Sequence, residues 1–151
     1  MILRTALFPV RYLLGTGEII TPQMAAQKFI ESFEQEYGQH RPNFAANSFQ
    51  QAVQQASRES KFLVVYLHSP MHEDTPGFCR QTLTADNLVS FINDNLLVWG
   101  GSIHHPDAYA TSGLLEASSY PFLALLVCQP RNVEVVDRIE GAVDGEQVRG
   151  P

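Results

Sequence analysis

The run Lys61-Phe62-Leu63-Val64-Val65-Tyr66-Leu67 is apolar after its first residue and rich in β-branched and aromatic side chains. This is the pattern of a strand covered on both faces, as parallel strands in layered α/β domains are. Two more runs of the same kind follow, Leu96 to Trp99 and Phe122 to Cys128. After the turn Pro130-Arg131-Asn132, Val133 to Ile139 reads as a fourth strand closed by Gly141. Helix signals surround these runs. Upstream, Thr21-Pro22 places a cap residue before a first-turn proline, and Phe29, Ile30, Phe33 and Tyr37 recur at helical spacing up to Gly38. Residues 39 to 47 read as a loop, and Ser48 with Gln51 makes a capping box ahead of Phe49, Ala52, Val53 and Ala56. Downstream, the loop His68 to Thr75 leads to a second cap-plus-proline start at Thr75-Pro76, with Phe78 to Leu83 helical. Thr84 is expected to cap a further helix, with Asp86 in its first turn and Leu88, Phe91 and Ile92 on its apolar face. Gly100-Gly101 reads as a turn, and Pro106 opens a helix to about Ala117 that Tyr120-Pro121 ends.

The order is therefore helix, helix, strand, helix, strand, helix, strand, strand. The two helical crossovers imply parallel pairing with right-handed connections, and the last two strands form a hairpin. A proline directly before the third strand completes the layout of an α/β thioredoxin-like fold: a mixed central sheet flanked by helices, with an extra N-terminal helix. Pro121 is expected in the cis form. Such folds close with a helix on the sheet. Only ten residues follow Gly141, and Gly145, Gly150 and Pro151 among them disfavour a long helix, so the closing helix is expected to be truncated, leaving 142–151 as an irregular tail.

Composition narrows the function. With 151 residues, 44% of them hydrophobic, the chain suits one soluble domain that buries roughly 70% of its unfolded surface without staples. Its 10 Lys+Arg against 16 Asp+Glu, with no basic run, argue against nucleic acid as the main partner. Cys79 and Cys128 are too few for a disulfide framework and suit a reducing compartment. Residues 1–20 form an apolar lead-in, but Met1 to Leu14 is broken by Arg4, Pro9 and Arg11 and is shorter than the ~20 residues of a membrane span.

Thioredoxin-like oxidoreductases carry Cys-x-x-Cys at the start of the helix after the first core strand, where the helix end lowers the thiol pKa. Here that place reads Pro76-Gly77-Phe78-Cys79, with proline at the attacking position and a lone Cys79. Dithiol exchange is thereby excluded, and Cys79 reads as a small buried hydrophobe. His68, His72, Glu73, Asp74, His104 and His105 do not compose a metal motif, because Pro70 breaks the helical premise of an i, i+4 histidine pair. No nucleophile elbow and no phosphate loop is present.

The ordered set Ser32-Phe33-Glu34-Gln35-Glu36-Tyr37-Gly38, Phe62 to His68, Phe78-Cys79-Arg80-Gln81-Thr82-Leu83, Tyr120-Pro121-Phe122-Leu123-Ala124 and Arg138-Ile139-Glu140-Gly141 resembles the UAS domains of the FAS-associated factors, within the UBX-domain protein family. The resemblance runs from about residue 25 to 141 and places the domain at 21–141. It implies a thioredoxin-like fold without catalytic cysteines and an adaptor rather than an enzyme, with no cofactor. It implies binding of long-chain unsaturated fatty acids, self-association, and residence on the cytosolic face of the endoplasmic reticulum and on lipid droplets, in ER-associated degradation. Ubiquitinated clients and the AAA ATPase valosin-containing protein would be reached through ubiquitin-binding and UBX domains absent from these residues, and residues 1–20 would be the remnant of a membrane hairpin or a lead-in packed on the domain. A fatty-acid carboxylate needs a cation, for which Arg80 at the helix start and Arg131 and Arg138 around the last strand are the candidates. The rival readings are a structural spacer and a divergent redox protein.

Overall fold

The computed structural model describes residues 12–13 and 19–141. Its elements are β1 (Tyr12–Leu13), β2 (Ile19–Ile20), α1 (Pro22–Tyr37), α2 (Phe49–Glu59), β3 (Leu63–His68), α3 (Thr75–Phe78) running into a π-helical turn (Cys79–Leu83), α4 (Asp86–Asn95), β4 (Leu97–Ser102), α5 (Pro106–Leu114), β5 (Phe122–Cys128) and β6 (Val133–Glu140). The expected closing segment 142–151 and most of the apolar lead-in lie outside the described residues.

Local chemistry sets the helix starts. Thr21 Oγ1 accepts from the Met24 amide at 3.2 Å, and at α2 the capping box forms in both directions, each bond 3.1 Å. Strand β3 begins one residue after the apolar run does, because the Lys61 amide still bonds Ala56 O at 3.0 Å to finish α2.

The four-stranded sheet has the order β4-β3-β5-β6. β3 pairs parallel with β4, Leu63 opposite Leu97 and His68 opposite Ser102, while β5 runs antiparallel to β3 and β6 antiparallel to β5. The expectation of parallel pairing thus holds for the first crossover and fails for the second. After β4 the chain re-enters the sheet at the end it left, with Phe122 opposite Leu67, so β5 must run back. Tyr120-Pro121 is cis.

Alternation along β3 splits the core in two. Leu63, Val65 and Leu67 face α2 and α5, through Phe49, Ala52, Ala56 and Ala108. Val64 and Tyr66 face α1 (Phe29, Phe33), α3 with its π turn (Phe78, Cys79, Leu83) and α4 (Leu88, Ile92).

Several expected details give way to tertiary packing. Gly100 and Gly101 continue β4 instead of turning. A Cβ on Gly100 would sit 2.9 Å from the rings of Phe29 and Phe44, and one on Gly101 2.9 Å from the Ala108 side chain, so the glycines let α1 and α5 press onto the strand. Thr84 does not cap α4. Its hydroxyl turns back to the carbonyls of Cys79 (2.9 Å) and Arg80 (3.0 Å), closing the π turn, and Ala85 stands at the α4 N-cap. Val89 takes the buried place expected of Phe91, which is exposed. Helix α5 stops at Leu114 because the chain reverses at Glu116 (φ 56°), burying Leu115 in its place.

One edge of the sheet is guarded by residues 41–45. Phe44 makes a single parallel bridge to Val98, and the Ala45 amide bonds Val98 O at 2.8 Å. Asn93 fastens this strap from α4, its Oδ1 accepting from the Asn43 amide at 2.8 Å and its Nδ2 reaching Arg41 O at 3.4 Å.

Candidate functional site

The place where a thioredoxin-like dithiol would stand is the start of α3. Pro76 occupies the attacking position as a first-turn residue of that helix. Cys79, one turn on, is fully buried beneath it. Its sulfur lies 3.3 Å from Tyr66 Oη, and Tyr66 Oη lies 2.8 Å from His68 Nδ1. An arrangement with Cys79 S–H donating to Tyr66 and Tyr66 O–H donating to His68 Nδ1 satisfies all three groups and leaves the imidazole neutral.

The surroundings enforce those protonation states. Burial pushes the Cys79 thiol up to about 11, outweighing its hydrogen bonds to Tyr66 and Tyr37. Burial also raises the Tyr66 phenol well above its ordinary value. His68 is lowered to about 4, first by burial and then by the nearby His104. The walls are aromatic: the rings of Phe29 and Phe33 stand 5.5 and 6.4 Å from His68, and Phe78 stacks on Tyr66 at 6.0 Å. α1 supplies two of these rings and so covers the network from above, with Tyr66 and Cys79 fully buried and His68 partly exposed at its rim. A thiol held protonated and covered is a packing group rather than a nucleophile.

Arg80 is exposed on the π turn, its guanidinium 5.5 Å from the Tyr37 ring centroid. Arg131 is exposed in the turn between β5 and β6. Arg138 lies on the other face of the sheet. It stacks at 5.6 Å over Phe122, donates to Glu116 O at 3.2 Å and pairs with Glu140 at 3.5 Å. Glu140 in turn accepts from the Ser118 amide (2.8 Å), the Ser118 hydroxyl (2.9 Å) and the Ser119 amide (2.9 Å), tying the loop before Pro121 to β6. The structure therefore does not bring the three arginines into one patch. Arg80 belongs to the side of Tyr66, Arg138 to the side of Phe122, and Arg131 to the far end of the hairpin.

Sequence reasoning missed the Tyr66–His68 link to Cys79. Its one visible signal was a tyrosine and a histidine two apart at the end of an otherwise apolar strand, which puts both on one face. Among the described residues no group of three or more His, Cys, Asp or Glu is placed to hold a metal ion, and no helix is long and apolar enough to cross a membrane.

Comparison with known proteins adds kinship to this geometry. The family model described as Fas-associated factor 1 matches residues 29–111. Human FAS-associated factor 2 is 40% identical over 120 residues, covering 80% of this chain and 27% of that protein. The plant UBX domain-containing protein 10 of Arabidopsis thaliana is 35% identical over 127 residues, 82% of this chain and 26% of its own length. The chain thus spans about a quarter of these curated relatives. Among solved structures, a thioredoxin from Thermus thermophilus superposes with a TM-score of 0.60 at 17% identity, over 68% of this chain and 78% of its own. A DsbH oxidoreductase gives 0.59 at 12% identity, over 73% and 82%. At these identities the likeness establishes the thioredoxin-like fold alone.

Proposed function

The chain belongs to the Fas-associated factor family, and from that premise we propose that this is a non-catalytic adaptor domain that keeps the thioredoxin-like scaffold and has given up its redox centre. The observation that carries the reading is Cys79. It is buried, hydrogen-bonded to Tyr66 and pushed up to about 11, while proline stands where the attacking thiolate would be. The thiolate is the species that opens a disulfide, and a resolving thiol must then reach it. Cys128, the other cysteine, belongs to the core on the opposite face of the sheet.

The finer reading follows from the family resemblance: the domain binds long-chain unsaturated fatty acids and self-associates in response, inside a longer adaptor of ER-associated degradation on the endoplasmic reticulum and lipid droplets. Ubiquitinated clients and the ATPase valosin-containing protein are partners of the whole protein in this reading. Arg80 is the best placed of the three candidate cations, being exposed beside an aromatic ring, whereas Arg138 already has an ion pair, a carbonyl and a ring. Size-exclusion chromatography of the purified domain with and without submicellar oleate tests the sensor reading, and an insulin-reduction assay tests the rest. The expected results are earlier elution with oleate and no insulin reduction above background. Unchanged elution would reduce the domain to a spacer, and reduction that disappears in Cys79→Ser would make it an enzyme.

A further inference from the structure

From Phe49 to Arg58, helix α2 contains no acid, in a chain with 16 Asp+Glu. Gln51, Gln54, Gln55 and Arg58 follow one another at helical spacing and line a cleft of 430 Å³, together with Gln23 at the start of α1 and Asn47 just ahead of α2. That volume lies within the roughly 300–1,000 Å³ of small-ligand sites. Arg58 is the one charged group of its lining. A larger cavity, of 680 Å³, carries both signs of charge, Lys28 with Glu31 and Glu34, and so selects neither.

The amides of the cleft are only partly used. Gln51 Oε1 accepts from the Ser48 amide at 3.1 Å, which leaves its NH₂ group to donate, and Gln55 Nε2 donates to Glu59 at 3.0 Å, which leaves its oxygen to accept. The side chains of Gln23 and Gln54 make no hydrogen bond among the described residues. Asn47 Oδ1 is buried with no partner, an arrangement that costs stability until an N–H is brought to it. Arg58 is exposed and pairs with no carboxylate among the described residues, and Glu59 beside it is turned to Gln55 and Lys61. Unused donors and acceptors running up to one free guanidinium match a peptide main chain, which offers N–H and C=O groups along its length, with a carboxylate on one of its side chains. Seven residues of helix from Gln51 to Arg58 rise ~10 Å, the length of about three residues of extended chain.

We infer that this cleft along α2 is a docking site for an extended acidic peptide segment of a partner protein, its main chain hydrogen-bonded to Asn47, Gln51 and Gln54 and one carboxylate held by Arg58. Asn47 is the group that the unbound domain leaves unsatisfied, and a peptide N–H supplies the donor it lacks. The absence of any acid from the lining is what admits a carboxylate into a domain of net charge −6. The inference stands on the cleft alone, whether or not the domain senses fatty acids.

The test is a ¹H–¹⁵N titration of the purified 151-residue chain with a capped tripeptide carrying glutamate at its centre, the same tripeptide carrying glutamine, sodium acetate and inorganic phosphate. The glutamate peptide should bind saturably with a Kd on the order of millimolar. It should move the side-chain amide signals of Gln23, Asn47, Gln51 and Gln54 and the indole N–H of Trp99, which donates to Asn47 O at 2.9 Å. The glutamine peptide should bind about tenfold more weakly, and Arg58→Gln should weaken the glutamate peptide by about the same factor without affecting the glutamine one, as loss of a charge-assisted contact requires. Acetate and phosphate should give no saturable shift in the cleft. Asn47→Ala should weaken both peptides while the urea midpoint stays the same or rises, because it removes an acceptor that the fold leaves unpaired. Phosphate shifts equal to those of the glutamate peptide would make the cleft an adventitious anion site and overturn the assignment. So would shifts centred on Arg80 or Arg131, an undiminished affinity of Arg58→Gln for the glutamate peptide, or no saturable shift with either peptide.

Discussion

Acidification should destabilise this domain through His68, by an amount the structure lets us work out. The imidazole, with an ordinary value of 6.5, is held at about 4 by burial and by His104. Above pH 6.5 it is neutral whether the chain is folded or unfolded and contributes no pH dependence. As pH falls from 6.5 towards 4 the unfolded chain takes up a proton that the folded one refuses, so stability declines across that window, and below about 4 both states are charged and the decline from this group stops. At about 1.4 kcal/mol per pH unit the loss amounts to about 3 kcal/mol, a large part of the roughly 5–15 kcal/mol that holds a domain together. Urea unfolding at intervals between pH 7.5 and 4 measures it, with His68→Asn as the reference. The asparagine carbonyl can accept the Tyr66 hydroxyl as Nδ1 does, at 2.8 Å in the parent, but cannot take a proton. Carboxylates such as Asp107, raised by its burial, titrate in both proteins and cancel in the difference. The wild type should lose about 3 kcal/mol more than the variant between pH 6.5 and 4. Two parallel pH profiles would show that His68 is solvated and that the covered network does not exist.

Gly100→Ala should cost about 1–3 kcal/mol in urea unfolding, since its new Cβ would sit 2.9 Å from both Phe29 and Phe44 and must push α1 or the strap off β4; a loss below ~0.5 kcal/mol would mean that neither is pressed onto the strand. Ser48→Ala removes one half of the capping box at α2 and should cost about 1 kcal/mol by the same measurement, with no change in the slope on urea.

What could be read along the chain was whatever is encoded locally. Thr21 and Ser48 announce their helices because a cap is made by residues three apart, and β3 and β5 announce themselves by length and branching. The proline before β5 was legible in the same way, as a position in an ordered layout. Gly100 was misread because its reason lies 56 and 71 residues away, in the rings of Phe44 and Phe29 that need the space above it. Phe91 was misplaced because spacing identifies an apolar face only to within a residue or two, and packing chose Val89. The direction of β5 depended on where α5 delivers the chain, which no local signal carries. At the site, the replaced dithiol was visible in Pro76 and Cys79. The hydrogen-bonded chain from Cys79 through Tyr66 to His68, and the scattering of Arg80, Arg131 and Arg138, are properties of the assembled sheet.

The central claim is that the redox centre of this scaffold has become a sealed, protonated packing site, and the reactivity of Cys79 in the native protein tests it most directly. In a Cys128→Ala background the rate of Cys79 modification by a small disulfide reagent would be followed from pH 6 to 10, folded and in urea. The account predicts negligible reaction of the folded protein across neutral pH, rising only towards the thiol's value of about 11 or with unfolding. Rapid modification of the folded protein with an apparent pKa below the ordinary ~8.5 of a free thiol would contradict it.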